Sequence, residues 1–252
     1  MRNIIEKLLI GVMALGLGQY ALSAEPEGKA SIGGMTVAQL EAAGDQARAA
    51  KDFDQANEYF QAAIRRDSKN PVLYNKLGLS QLRMNNTRAA KFNFQKAVKL
   101  NSKYADAINN IGAVYYMQKE YGSAARQFKK AVALDETRPS FHVNLGATWF
   151  AQKKLEGAIA EYARALELNP DALTSGNAGV AAQIASPEER ARYSYMLAKI
   201  FAKRGDADQC IRNLRKAKEE GYRELANIYK DSEFAQLRND PRMAEIAPAP
   251  ER

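Results

Sequence analysis

Residues 105–138 read ADAINNIGAVYYMQKEYGSAARQFKKAVALDETR, and this 34-residue unit recurs along the chain. Its glycine, Gly112, has counterparts at Gly44, Gly78 and Gly146, each 34 residues from the next. Twelve residues after each glycine stands an alanine: Ala56, Ala90, Ala124 and Ala158. An aromatic follows sixteen after, at Phe60, Phe94, Phe128 and Tyr162, and a second alanine nineteen after, at Ala63, Ala97, Ala131 and Ala165. A fixed period of this length marks a repeat array, and arrays of this kind offer binding surfaces rather than reaction centres.

Within the unit, Ile108, Ile111, Val114 and Tyr115 recur at helical spacing, which predicts a helix over 105–118. Tyr121, Ala124, Phe128, Ala131, Val132 and Leu134 predict a second over 121–134. The short connection between them makes the pair an antiparallel hairpin. A glycine inside a helix is unfavourable by about 1 kcal/mol relative to alanine, so four in register need a compensating contact. Small residues let paired helices approach to roughly 8–10 Å, and the aromatic fills the space beside the next hairpin. Each hairpin alone leaves an apolar face bare, so stability must come from stacking.

Ile111-Gly112, Tyr115, Ala124, Phe128 and Ala131 occupy the signature places of the tetratricopeptide repeat (TPR) family. Leu145-Gly146, Trp149, Ala158, Tyr162, Ala165 and Pro170 match it better still. The chain resembles that family over residues 36–170. Repeat 1 departs, with Ala43 and Ala47 where larger residues are usual. A fifth unit fits the template through Leu197-Ala198, Phe201, Cys210, Leu214 and Ala217, but Ala198 lies 52 residues after Gly146, which implies an 18-residue insertion. The resemblance implies an all-α fold: a right-handed α-solenoid of about five antiparallel helix hairpins.

The remaining segments divide by composition. Arg2 and Lys7, the apolar run Leu8–Leu22 and the small residues Ala21-Leu22-Ser23-Ala24 read as a signal peptide over 1–24. That run is shorter than the roughly 20 residues needed to span a bilayer. The expectation is an exported chain, periplasmic or secreted, with no membrane-spanning segment in its mature part. A linker at 25–35 precedes the four repeats of 36–170. An insertion loop at 171–186 separates these from the TPR-like repeat at 187–220, whose entry Ser186-Pro187-Glu188-Glu189 carries capping residues. Residues 221–246 are similar to the short helices that close many bacterial TPR proteins, and they are expected to cap the stack. Two prolines make 247–252 a disordered tail.

Charge and chemistry narrow the function. The formal net charge is +8, and export removes Arg2, Glu6 and Lys7 to leave +7. Basic residues crowd the second helices, at Lys91, Lys96 and Lys99 and at Arg126, Lys129 and Lys130. Charge alone admits nucleic acid, but export takes the chain away from it. A solvated convex face, or one that meets an anionic envelope polymer, is the preferred alternative. Cys210 and His142 are the only residues of their kinds, so neither a disulfide nor a zinc ligand set can be built within one chain. Gly176-Asn177-Ala178-Gly179 lacks the following Lys-Ser/Thr of a phosphate loop. No enzyme, cofactor or metal is expected.

In the family the first helix of each repeat lines a concave groove, and the resemblance implies that ligand contacts come from one face of it. Here that face supplies Asn75, Leu79 and Arg83 from repeat 2, Asn109, Ala113, Tyr116 and Met117 from repeat 3, and Val143 and Phe150 from repeat 4. The mixture suits a peptide, with amides for a backbone and apolar surface for side chains. The family's clamp for chaperone C-terminal carboxylates needs Lys and Asn where repeat 1 has Glu41 and Asp45 and repeat 2 has Asn75 and Leu79. The expected partner is therefore another protein or peptide, with weak self-association left open.

The signal-peptide reading predicts cleavage between residues 22 and 25. Mass spectrometry of the exported protein should find an N-terminus near Ala24 or Glu25, and an intact Met1 held in the membrane would overturn it.

Overall fold

Among the described residues, five helix pairs follow one another. They are α1 (Val37–Ala49) with α2 (Phe53–Arg66), α3 (Pro71–Arg83) with α4 (Thr87–Leu100), and α5 (Ala105–Met117) with α6 (Tyr121–Leu134). Next come α7 (Pro139–Ala151) with α8 (Leu155–Leu168) and α9 (Pro187–Lys203) with α10 (Ala207–Glu219). Two 3-10 turns, Leu225–Tyr229 and Ser232–Leu237, and the short helix α11 (Pro241–Ile246) follow. This computed structural model describes residues 32–173 and 186–248. The expected signal peptide, most of the linker and of the insertion, and residues 249–252 lie outside the described residues. Ile32–Gly34 forms a 3-10 turn in an N-terminal unit that ends at Met35. The described residues from Thr36 onward form an all-helical solenoid.

The glycine of each first helix makes the hairpin possible. A Cβ on Gly44, Gly78 or Gly112 would lie 2.5, 2.6 or 2.7 Å from the ring of Phe60, Phe94 or Phe128. Each ring is fully buried against the bare backbone of the facing helix. That contact is the compensation the helix-interior glycines require. At Gly146 the nearest ring atom, on Tyr162, would be 3.1 Å away, a looser fit.

The turns within the hairpins also keep the period. Lys51, Asn85, Lys119 and Lys153, 34 residues apart, have φ of 63°, 60°, 61° and 61°. A left-handed residue costs roughly 1–2 kcal/mol where a Cβ is present, and here the tight reversal imposes it. Gly205 takes the same place in the fifth hairpin at φ 75°, where glycine carries no such cost. Asp52, Asn86 and Asp206 then cap the second helices, each side chain accepting a backbone N–H of the first turn.

The fifth hairpin has the repeat's internal packing, with Ala198, Cys210, Leu214 and Ala217 all fully buried. Burial pushes the Cys210 thiol up to about 12, so it stays protonated through the neutral range. Its placement differs from the first four. α9 is capped by Ser186, whose hydroxyl accepts the Glu189 N–H at 3.1 Å. Glu188, Ala191 and Arg192 of its first turns line a cavity with Lys153 and Leu155 of the α7–α8 turn. A regular fifth hairpin would begin beside the far end of α8, one helix length away, on the order of 20 Å.

Beyond α10, Phe234, Ile228 and Met243 are fully buried in one cluster with Tyr195, Ala198 and Leu214. Leu237 packs half-buried at its edge. Ala247, assigned to the tail by sequence, is instead buried, and its carbonyl accepts the Tyr229 hydroxyl at 3.0 Å. That bond and the apolar contact carry the ordered chain past the expected boundary.

Gly112→Ala should lower stability by about 1–3 kcal/mol, because the added methyl meets a ring that close packing holds in place. Gly146→Ala, with more room and an intrinsic helix gain of about 1 kcal/mol, should be near neutral. Thermal melts of the two variants separate these outcomes; equal losses would show that ring contact does not set the glycine requirement.

Candidate functional site

The first helices α1, α3, α5 and α7 carry the residues expected to line the groove, and their polar side chains bond chiefly to one another. Asn110 Nδ2 donates to Asn75 Oδ1 at 2.9 Å, and Asn144 Nδ2 donates to Asn109 Oδ1 at 2.9 Å. One hairpin earlier, Lys76 pairs with Glu41 at 2.6 Å and also with Asp45. In every case a residue next along one first helix reaches back to the preceding one. Burial works against the Lys76 ammonium, but hydrogen bonds and charge from Asp45 and Glu41 outweigh it and raise its pKa above the ordinary lysine value. Asn75 and Asn109 are thus buried and tie repeats together. This corrects the reading of their amides as a free ladder for a ligand backbone: the adjacent repeat takes their carbonyl oxygens.

The apolar part of the expected groove is also occupied. Tyr116, Val143 and Phe150 are buried, and Ala113 is half-buried, in one cluster with Tyr193, Met196, Leu197 and Ile200 of α9. The Tyr193 ring meets Phe150 edge-on at 5.5 Å between centroids and Tyr162 at 5.6 Å. Tyr116 packs edge-on against Tyr121 at 5.2 Å. Burial, with smaller contributions from Tyr121 and Glu189, pushes the Tyr116 hydroxyl up to about 12. Because α9 enters beside the α7–α8 turn, it lies against repeats 3 and 4. Tyr116, Val143 and Phe150 are therefore core residues of this arrangement, a second correction to the expected site.

The other three expected residues lie outside that cluster. Arg83 is exposed, Met117 is at the edge of exposure and Leu79 is half-buried. Leu79 and Arg83 lie in an open cleft of about 650 Å³ with Asp45, Arg48, Ala49, Lys51 and Phe53. Arg48 donates from Nη2 to Asp45 Oδ1 at 3.0 Å, while its Nε is buried without a hydrogen-bond partner. The cleft holds three cations, Arg48, Lys51 and Arg83, against the single carboxylate of Asp45. The sequence placed Asp45 only as a mismatch to the carboxylate clamp, and Arg48 went unnamed because the groove was drawn from repeats 2 to 4. Their signal was positional, since Asp45 stands 34 residues before Leu79. Such a site can take an extended chain with acidic or carbonyl oxygens over the guanidinium groups and an apolar side chain on Leu79 and Phe53. Among the described residues no group of three or more His, Cys, Asp or Glu side chains is placed to hold a metal ion. No described helix is long and apolar enough to cross a membrane.

The fold and this cleft define a class of helical repeat proteins that bind other proteins. Family profiles described as tetratricopeptide repeat match residues 75–139 and 139–172, and this part of the chain consists of tetratricopeptide repeats. Among solved structures it is similar to TTC0263, a thermophilic TPR protein of Thermus thermophilus. That match has 18% identity and a TM-score of 0.52, and covers 80% of this chain and 98% of that one. It is also similar to MamA, at 19% identity and a TM-score of 0.51, over 78% of this chain and 95% of that one. A third match, MamA 41-end from Desulfovibrio magneticus RS-1, has 18% identity and a TM-score of 0.51, with 73% and 94% covered. No curated protein matches the sequence.

Burial divides the expected site residues by outcome. Tyr116→Ala should destabilise the fold by about 3 kcal/mol or more, as large-to-small core changes do. Asn109→Ala should cost about 1–3 kcal/mol by leaving the Asn144 amide without its acceptor. Met117→Ala should stay within about 0.5 kcal/mol of the parent. Urea titrations check all three, and an unchanged midpoint for Tyr116→Ala would return that residue to the surface.

Proposed function

We propose that this protein is a non-catalytic scaffold of the cell envelope that holds an extended, acidic segment of a partner protein in the concave cleft of repeats 1 and 2. The observation that carries the reading is the cleft itself. It joins an apolar floor, Leu79 and Phe53, to three cations that a single carboxylate leaves largely uncompensated. The repeat class supports a protein partner, since tetratricopeptide repeats act in protein–protein interaction. The envelope setting rests on the sequence of residues 1–24 alone. Binding confined to two hairpins matches a segment of a few residues, because α9 covers the corresponding face of repeats 3 and 4.

A photo-crosslinking residue at Leu79 or Arg83 should capture one partner in cells, and a peptide scan of that partner should isolate an acidic segment. Arg83→Ala should then weaken the peptide on the order of thirtyfold with an unchanged melting temperature, as for a hot-spot residue. A partner captured only from the second helices, with Arg83→Ala binding normally, would overturn the cleft as the site.

A further inference from the structure

We propose that the outer face formed by α4 and α6 docks on an anionic phospholipid bilayer, with Phe92 entering the headgroup region. The inference is independent of the partner cleft, which is lined by α1, the α1–α2 turn, the start of α2 and α3. Phe92 is the most exposed large hydrophobic residue described, at 66% of its full accessibility. It stands on the exposed stripe of α4 with Arg88 four residues before it and Lys99 seven after. The next hairpin places Arg126 at the equivalent position on α6, followed by Lys129 and Lys130, all three exposed.

Neither helix contains an acidic residue. α4 carries Arg88, Lys91, Lys96 and Lys99, and α6 carries Arg126, Lys129 and Lys130. None of these seven cations forms a salt bridge among the described residues, although ion pairs are frequent elsewhere in the fold. Three lean on rings of the following first helices or their own hairpin: Lys91 on Tyr115 at 3.9 Å, Lys129 on Trp149 at 4.8 Å and Lys96 on Tyr74 at 6.0 Å. Arg126 donates to Ser123 at 3.0 Å. The patch has edges. α2 mixes Asp54 and Glu58 with its arginines, α8 carries Glu156, Glu161 and Glu167, and Glu120 borders the start of α6.

Two features favour a bilayer over other anions. A charged polymer offers phosphate, sulfate or carboxylate to the cations but no apolar phase for the ring. A bilayer interface supplies both at adjacent depths, headgroup charge for the lysines and acyl boundary for the phenyl. A protein partner presents both signs of charge, whereas seven cations without an intervening carboxylate fit a plane of like anions. The outer helices of a solenoid form its crest, so Phe92 can reach a flat surface without a pocket to receive it.

The test is sedimentation of the full chain, as recovered from cells, with vesicles of phosphatidylglycerol and phosphatidylcholine or of phosphatidylcholine alone. Comparison of variants within one preparation cancels any contribution of residues 1–24. The expected result is binding to the anionic vesicles, a loss of about tenfold in Phe92→Ala and a loss of about fivefold for each of Lys99→Gln and Lys130→Gln. These sites are exposed, so circular dichroism and melting should match the parent. In Phe92→Trp, brominated acyl chains should quench the fluorescence more strongly than in the parent, whose single Trp149 lies half-buried beneath Lys129. Absence of binding to anionic vesicles overturns the proposal. So does full binding by Phe92→Ala with loss only in the charge variants, which would mark a polyanion surface. Equal losses of Phe92→Ala on vesicles and on inorganic polyphosphate would also overturn it.

Discussion

The contact between a glycine backbone and a buried ring holds each of the first four hairpins together, and the array is built on its repetition. With no Cβ at Gly44, Gly78 or Gly112, the ring of Phe60, Phe94 or Phe128 lies directly on the opposing helix. Close approach of the two helices fixes their crossing, and the crossing fixes which side chains reach the next hairpin. The flanking alanines, Ala90 and Ala97 in the second hairpin, are fully buried for the same reason. The period in the sequence is a period in helix separation. Where the contact loosens, at Gly146 and Tyr162, the array also departs from regular stacking.

A polar ladder sets the register between hairpins. Glu41–Lys76, Asn75–Asn110 and Asn109–Asn144 are three rungs of one design, each joining neighbouring positions of successive first helices. The corresponding place in the fourth and fifth hairpins holds Val143 and Met196, which lie in an apolar cluster instead. With no polar partner to satisfy, α9 is not held to the register of the preceding helices. It docks by its aromatic and aliphatic side chains against repeats 3 and 4.

The sequence made the hairpins legible because their signals are local: glycine, alanine and ring at fixed offsets within one unit. It showed the fifth hairpin too, through an offset of 52 residues that Lys153 and Gly205 repeat at the turn. The candidate site was less legible. Asn75 and Asn109 sit at family binding positions, and residue type alone does not say whether an amide faces a ligand or the next repeat. The answer lay in their following residues, Asn110 and Asn144, which recur 34 apart beside them. Tyr116 and Phe150 were harder, because the helix that covers them is separated by the insertion and no periodic rule reaches across it. The open cleft was less legible because Asp45 reads in the sequence as a mismatch to the carboxylate clamp, and Lys51 and Phe53 belong to the turn and the start of α2 rather than to a first helix.

The placement of α9 bears on the order in which the molecule assembles. Contacts among the first four hairpins join close neighbours in sequence, so that part of the array can grow one hairpin at a time. α9 instead meets Phe150 through Tyr193 and brings Glu189 within electrostatic range of Tyr116, more than seventy residues upstream. Closing that longer loop costs additional chain entropy and must wait until residue 203 is available. A chain still emerging, or cut before residue 187, therefore displays the aromatic inner face of repeats 3 and 4. The finished molecule has lost that face, and any factor that recognises it distinguishes the incomplete protein from the complete one.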